Sequence, residues 1–96
     1  MKYVITEEAR KDLIEIGDYI SLDNPAAARN LMIEFKEAFE KFVTMPKLGH
    51  KRKDLTKKDV RFWSVKSYLI IYQIREEAIV ILRVLSGFRD IATLLK

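Results

Sequence analysis

The 96-residue sequence has no cysteine. That excludes a disulfide framework, a thiolate nucleophile and a cysteine-based zinc site. It has one histidine, His50, which excludes a multi-histidine metal cluster, so no metal and no other cofactor is expected. Long apolar runs are also missing. The longest, around residues 68–72 and 78–82, are far too short to cross a bilayer, and no membrane partner is expected. The first twelve residues carry charge from Lys2 onward and lack the apolar core of a signal peptide. The default compartment is the cytoplasm. No internal repeat or low-complexity segment interrupts the chain, and its length leaves room for one core, hence a single domain over residues 1–96.

What is present is charge, unevenly placed. Residues 1–46 carry six Lys and Arg against nine acids, whereas residues 47–96 carry twelve against five. Such a division points to a negatively charged partner on the second half, either nucleic acid or an acidic protein segment. The bland alternative is a solvated surface whose charges happen to sort unevenly.

Local signals give the order of elements. Residues 2–5 suit one strand. Thr6 can cap a helix whose first turn holds Glu7 and Glu8, and Ala9, Leu13, Ile16 and Ile20 then recur at helical spacing. Asn24 and Pro25 stop that helix and start another, with Asn24 as cap and Pro25 as first residue. The second stripe is Ala28, Leu31, Phe35, Phe39 and Phe42, and it ends before Pro46. A link this short predicts an antiparallel helical hairpin. Residues 47–59 read as a loop with Gly49 and a cluster of Lys47, His50, Lys51, Arg52, Lys53, Lys57 and Lys58. Residues 60–65, 68–75 and 79–86 are rich in β-branched and aromatic types and separated by short polar breaks, which predicts a meander of three strands. The second and third of these are apolar on both faces and belong in the interior of a sheet. Gly87 ends the last strand, and residues 89–96 are expected to form a short C-terminal helix. The fold class is therefore α+β, in the order β-α-α-β-β-β, with the hairpin packed on an antiparallel sheet.

Five segments stand out in order: Tyr3-Val4-Ile5-Thr6 with Ala9, Asp12-Leu13 and Ile16; Asn24-Pro25-Ala26-Ala27-Ala28; Phe42 to Gly49, with Pro46 and Leu48-Gly49 as a P-x-x-G exit from the second helix; Val60-Arg61 with Tyr68-Leu69-Ile70-Ile71-Tyr72; and Ile81-Leu82-Arg83-Val84-Leu85-Ser86-Gly87-Phe88-Arg89-Asp90-Ile91. By these segments the chain resembles the RelE/ParE superfamily of toxins from type II toxin–antitoxin systems, and within it the ParE branch. In one place the chain departs, since Ser86 stands where ParE-like members commonly have histidine.

The superfamily divides by target, and the resemblance implies two alternatives. ParE-like members inhibit DNA gyrase by binding, and RelE-like members cleave messenger RNA. Cleavage would need a base, an acid and positive charge on the phosphorane. Arg61 and Arg83 occupy positions similar to the family's catalytic arginines, with Lys51 and Lys53 as further cations, but apart from His50 no group that titrates near neutral pH is at hand. A binder needs only shape and charge. The expected target contacts are Arg61, Arg83, Arg89, Lys51, Arg52 and Lys53. A third alternative is a non-toxic interaction module.

The resemblance also implies a cognate antitoxin, ParD-like or similar, which would carry any binding to promoter DNA. Ile14, Tyr19 and Leu22, outside the core stripe, and Trp63 are its expected contacts. Each residue has a plainer reading. Arg83 can pair with Asp90 or Asp59, Arg61 is expected to be exposed, and Trp63 serves either as a stacking platform or as a core anchor. Tyr68 and Tyr72 are expected to line one sheet face.

Overall fold

Thr6 starts the helical part of the chain as its type predicts. Its backbone is extended, and its Oγ1 accepts the Ala9 amide at 3.1 Å. A computed structural model describes residues 1–87; the expected C-terminal helix, with Arg89 and Asp90, lies outside the described residues. The elements are β1 (Lys2–Ile5), α1 (Glu7–Ser21), α2 (Pro25–Thr44), β2 (Arg61–Val65), β3 (Tyr68–Ile74) and β4 (Ala78–Ser86). Asn24 caps α2 through Ala27 N at 3.0 Å, with Pro25 in the first helical position where its missing amide costs nothing.

The α2 stripe buries Ala28 and packs Leu31, Phe35, Ala38, Phe39 and Phe42 into a core shared with the sheet. Aromatic rings organise this layer. Phe39 tilts against Tyr3 at 5.5 Å, and Phe42 stacks on Tyr72 with centroids 4.0 Å apart and planes 15° apart. The opposite face of the sheet holds a smaller core of Val60, Phe62, Leu69, Ile71 and Leu85, joined by Leu55 and Leu82. This two-sided burial explains why β3 and β4 are apolar on both faces.

The strand order is β1-β4-β3-β2. β2, β3 and β4 form the expected antiparallel meander, and β3 and β4 occupy the interior. β1 joins the outer edge of β4 in parallel, Lys2 opposite Ala78 and Ile5 opposite Ile81, so the sheet is mixed rather than wholly antiparallel. Parallel pairing requires a long crossover, which the helical hairpin and the meander together supply.

β4 contains one irregularity with consequences. Ile71 faces Arg83 but Tyr72 faces Ile81, so Leu82 is an extra residue. The bulge keeps Ile79, Ile81 and Val84 on the helix side and sends Leu82 and Leu85 to the other core. It falls where β1 ends. Beyond that point α1 takes over the edge: Thr6 N donates to Ile81 O at 3.1 Å, Thr6 Oγ1 donates to Leu82 O at 3.1 Å, and Val84 N donates to Asp12 Oδ2 at 2.9 Å. The polar groups that a missing strand would leave unpaired are thus satisfied by the Thr6 amide and by the side chains of Thr6 and Asp12.

Candidate functional site: a latched basic loop

The segment between α2 and β2 has little apolar content of its own, yet it is held at several points. Tyr72 Oη donates to Pro46 O at 2.7 Å and accepts from Gly49 N at 2.7 Å. Arg61 Nη1 donates to Gly49 O at 2.7 Å and to Lys47 O at 3.4 Å. His50 and Phe62 exchange both backbone bonds, at 2.9 and 2.8 Å. Further on, Arg52 O accepts the amides of Leu55 and Thr56, and Leu55 packs into the smaller core.

The P-x-x-G spacing acquires a physical reason here. A Cβ on Gly49 would lie 2.7 Å from Tyr72 Cε1, 2.8 Å from Tyr72 Oη and 3.0 Å from Phe62 O. Gly49 is required by close approach and not by backbone conformation, because Gly87 is the glycine with positive φ.

Tyr72 titrates unusually in consequence. Burial raises its phenol above the ordinary value, opposed by the bond from the Gly49 amide and the charge of Arg61. The folded state therefore favours the neutral phenol. That contribution is fully present below the unfolded value, about 10, and is lost as pH rises through the raised folded value. A tyrosinate step above the ordinary value is expected to disappear in Tyr72→Phe when tyrosinate absorbance is followed against pH. A Tyr72→Phe profile that keeps the late step would refute this assignment.

The latched loop presents its cations outward. Arg52 binds Asp54 through Nε at 3.0 Å and Nη2 at 2.8 Å, and this bond holds the exposed Asp54 carboxyl below its ordinary range. Lys51 pairs with Asp59 at 3.0 Å. Among the described residues, Lys47, Lys53, Lys57 and Lys58 have no carboxylate partner. Lys51, Lys53, Lys57 and Lys58 line a cavity of about 320 Å³. Arg52 also lines a second cavity of about 360 Å³, whose other walls include His50, Phe62, Trp63 and Leu69.

Of the four arginines expected to meet the target, Arg61 and Arg83 are both engaged with groups of the fold. Arg83 binds Asp12 with two bonds, Nε to Oδ2 at 2.7 Å and Nη2 to Oδ1 at 2.9 Å. The pair is largely shielded, the Arg83 and Asp12 side chains being 25% and 11% exposed. Bonding to Asp12 raises the Arg83 pKa from its ordinary value against the cost of burial, and Asp12, Glu8 and Glu15 add through their charge. The partner is Asp12 rather than Asp59, which is occupied by Lys51; Asp90 lies outside the described residues. Arg61, expected to be exposed, is half-buried because it binds the loop carbonyls.

Ile14 and Tyr19 on α1 and Leu22 at its C-cap remain 55%, 75% and 82% exposed. Trp63 is half-buried, packs against the main core, and lines cavities on both sides of β2. Sequence reasoning missed Asp12 as a site-supporting residue. Its signal was an acid three residues after Ala9 and four before Ile16, on the apolar stripe of α1.

A helical hairpin on a four-stranded mixed sheet, with a cationic loop latched to one side, defines a small α+β domain built to present charge. The family model for the ParE toxin of the type II toxin–antitoxin system parDE matches residues 3–91. The chain belongs to this family, and it is the toxin component of a type II toxin–antitoxin system. Its fold is similar to that of a chain from the chromosomal ParDE TA system of P. aeruginosa, with a TM-score of 0.76 and 22% identity, covering 92% of this chain and 97% of that one. A comparison with curated proteins finds no match.

Proposed function

We propose that this toxin arrests growth by binding DNA gyrase, without covalent chemistry of its own, and that a cognate ParD-like antitoxin neutralises it. The observation that carries the reading is the ParE family match over residues 3–91. A second observation favours binding over RNA cleavage. Arg61 and Arg83, the cations a cleavage reaction would aim at the phosphorane, spend guanidinium donors on Gly49 O and on Asp12. In this reading both arginines brace the target-binding surface, and Lys51, Arg52, Lys53 and Arg89 meet the target.

The exposed apolar side chains Ile14, Tyr19 and Leu22, with Trp63, form the antitoxin contact. The antitoxin segment that covers them is apolar at intervals and net acidic, as a basic half requires. Promoter DNA is bound through the antitoxin alone. No helix among the described residues is long and apolar enough to cross a membrane, and the toxin works in the cytoplasm with its target.

Induced expression without antitoxin tests the reading, with plasmid supercoiling and messenger RNA primer extension followed in the same cells. Loss of supercoiling with intact transcripts is the expected result. Codon-phased cuts with normal supercoiling would replace gyrase inhibition by endoribonuclease activity. Healthy growth with neither effect would assign Ser86, in place of the common histidine, to a loss of toxicity.

A further inference from the structure

The two edges of the sheet are finished differently. At the β2 edge, His50 covers the strand by exchanging both backbone bonds with Phe62. At the opposite edge, β1 pairs with β4 on one side and with no described strand on the other. The bond from Thr6 N to Ile81 O fixes the alternation along β1. Lys2, Val4 and Thr6 turn their backbone groups toward β4, so Tyr3 and Ile5 turn theirs outward. Among the described residues, these outward groups have no hydrogen-bond partner. Open edges are ordinarily blunted by charge, proline or a bulge. β1 is short and has Lys2 at one end, but it has neither proline nor bulge, and Val4 on its outer face is 40% exposed.

We propose that the free toxin pairs with a second copy of itself through β1, joining two four-stranded sheets into one. The edge is complementary to its own reverse. Lys2 stands at the start of β1, and Glu7 and Glu8 open α1 just past its end. An antiparallel copy centred on Val4 therefore sets opposite charges together. Tyr3 faces Ile5 of the partner subunit, and each such pair exchanges two backbone bonds. The two copies of Val4 meet at the axis, in the closely spaced position where side chains touch. Lys2 faces the partner subunit's Thr6, next to the partner's Glu7. An acidic peptide strand would satisfy Lys2 but meet Glu7 and Glu8 with like charge, which is why a second copy fits better. A pairing this small is weak and concentration-dependent. The basic loop is latched to β2, at the far edge, so it stays free and the two loops stand at opposite ends of the joined sheet. The pairing does not depend on the gyrase reading, and its test contains no gyrase.

The experiment follows the purified full-length toxin by sedimentation velocity over a range of concentrations, with amide hydrogen exchange read by NMR on the same samples. A monomer–dimer equilibrium is expected, and the Tyr3 and Ile5 amides are expected to become protected as dimer forms. Val4→Lys puts like charges at the axis from an exposed position and is expected to raise the dissociation constant more than tenfold, with the circular dichroism of the fold unchanged. Lys2→Glu and Glu7→Lys are each expected to weaken pairing several-fold, and the two together to restore most of it. That recovery is a readout that damage to the fold by either change does not produce. A toxin that stays monomeric throughout would overturn the proposal. So would a dimer in which the Tyr3 and Ile5 amides exchange freely, or one indifferent to Val4→Lys and to the charge reversals. Protection of these amides that appears only when antitoxin is added to a monomeric toxin would assign the edge to the antitoxin instead.

Discussion

Asp12→Ala is expected to lower the unfolding free energy by about 2–3 kcal/mol, the upper range for losing hydrogen bonds to a charged group and short of a fully buried ion pair because Arg83 stays a quarter exposed. Three bonds end on this carboxylate, two from Arg83 and one from Val84 N. Its loss leaves a guanidinium that is only a quarter exposed without its partner, and an edge amide of β4 without an acceptor. Unpaired groups of this kind cost about 1–3 kcal/mol each, more when charged. The surface pair Lys11–Glu7, 3.8 Å apart on the exposed side of the same helix, makes the contrast. Both its members are well solvated, and breaking it is expected to change stability very little. Against a typical total of about 5–15 kcal/mol, the Asp12 loss is large enough to deplete folded toxin in cells. Urea unfolding followed by far-UV circular dichroism measures it. Asp12→Asn keeps an acceptor for Val84 N and is expected to lose less. A value for Asp12→Ala within the range of Glu7→Ala would show that α1 does not depend on this pair for its seat against β4.

How far the sequence discloses the fold depends on the distance between the partners. Thr6 and the Asn24-Pro25 pair are legible because a cap bonds to an amide three residues away. The hairpin stripe and the apolar strands are legible because their periodicity is local. The β1–β4 pairing is not, since it joins the two ends of the chain across every other element. The bulge at Leu82 has no local signature, because Ile79 to Leu85 is uniformly apolar apart from Arg83. Arg83 was legible as a residue with a task, and its pairing with a carboxylate was foreseeable. The partner is 71 residues away and could be chosen only by knowing that α1 completes the edge of β4. Tyr72 shows the same limit. Its ring belonged to the core by pattern, whereas its hydroxyl serves groups 23 and 26 residues distant.

That hydroxyl makes the loop latch a cooperative unit, and the cooperativity is measurable. Gly49→Ala is expected to cost about 1–3 kcal/mol, the usual penalty for forcing atoms into a filled site. The new methyl meets the Tyr72 ring edge and hydroxyl on one side and the Phe62 carbonyl on the other. Relief requires the loop to back away, which lengthens the bond from Gly49 N to Tyr72 Oη and the bond from Arg61 to Gly49 O. Tyr72→Phe is expected to cost a similar amount by a different route, leaving Gly49 N and Pro46 O unpaired while the stack on Phe42 survives. In the double variant the hydroxyl is gone, so the methyl no longer breaks that bond and meets one fewer atom. Its cost is therefore expected to fall short of the sum of the singles by about 1 kcal/mol, as for groups in direct contact. A residual penalty persists because the Cε1 contact at 2.7 Å remains. Urea midpoints of the four proteins close the cycle. Strict additivity would mean that Gly49 and Tyr72 act separately, and the P-x-x-G spacing would then need a cause other than the latch. A shortfall would tie the seat of the basic loop to a core tyrosine, and with it the presentation of Lys51, Arg52 and Lys53.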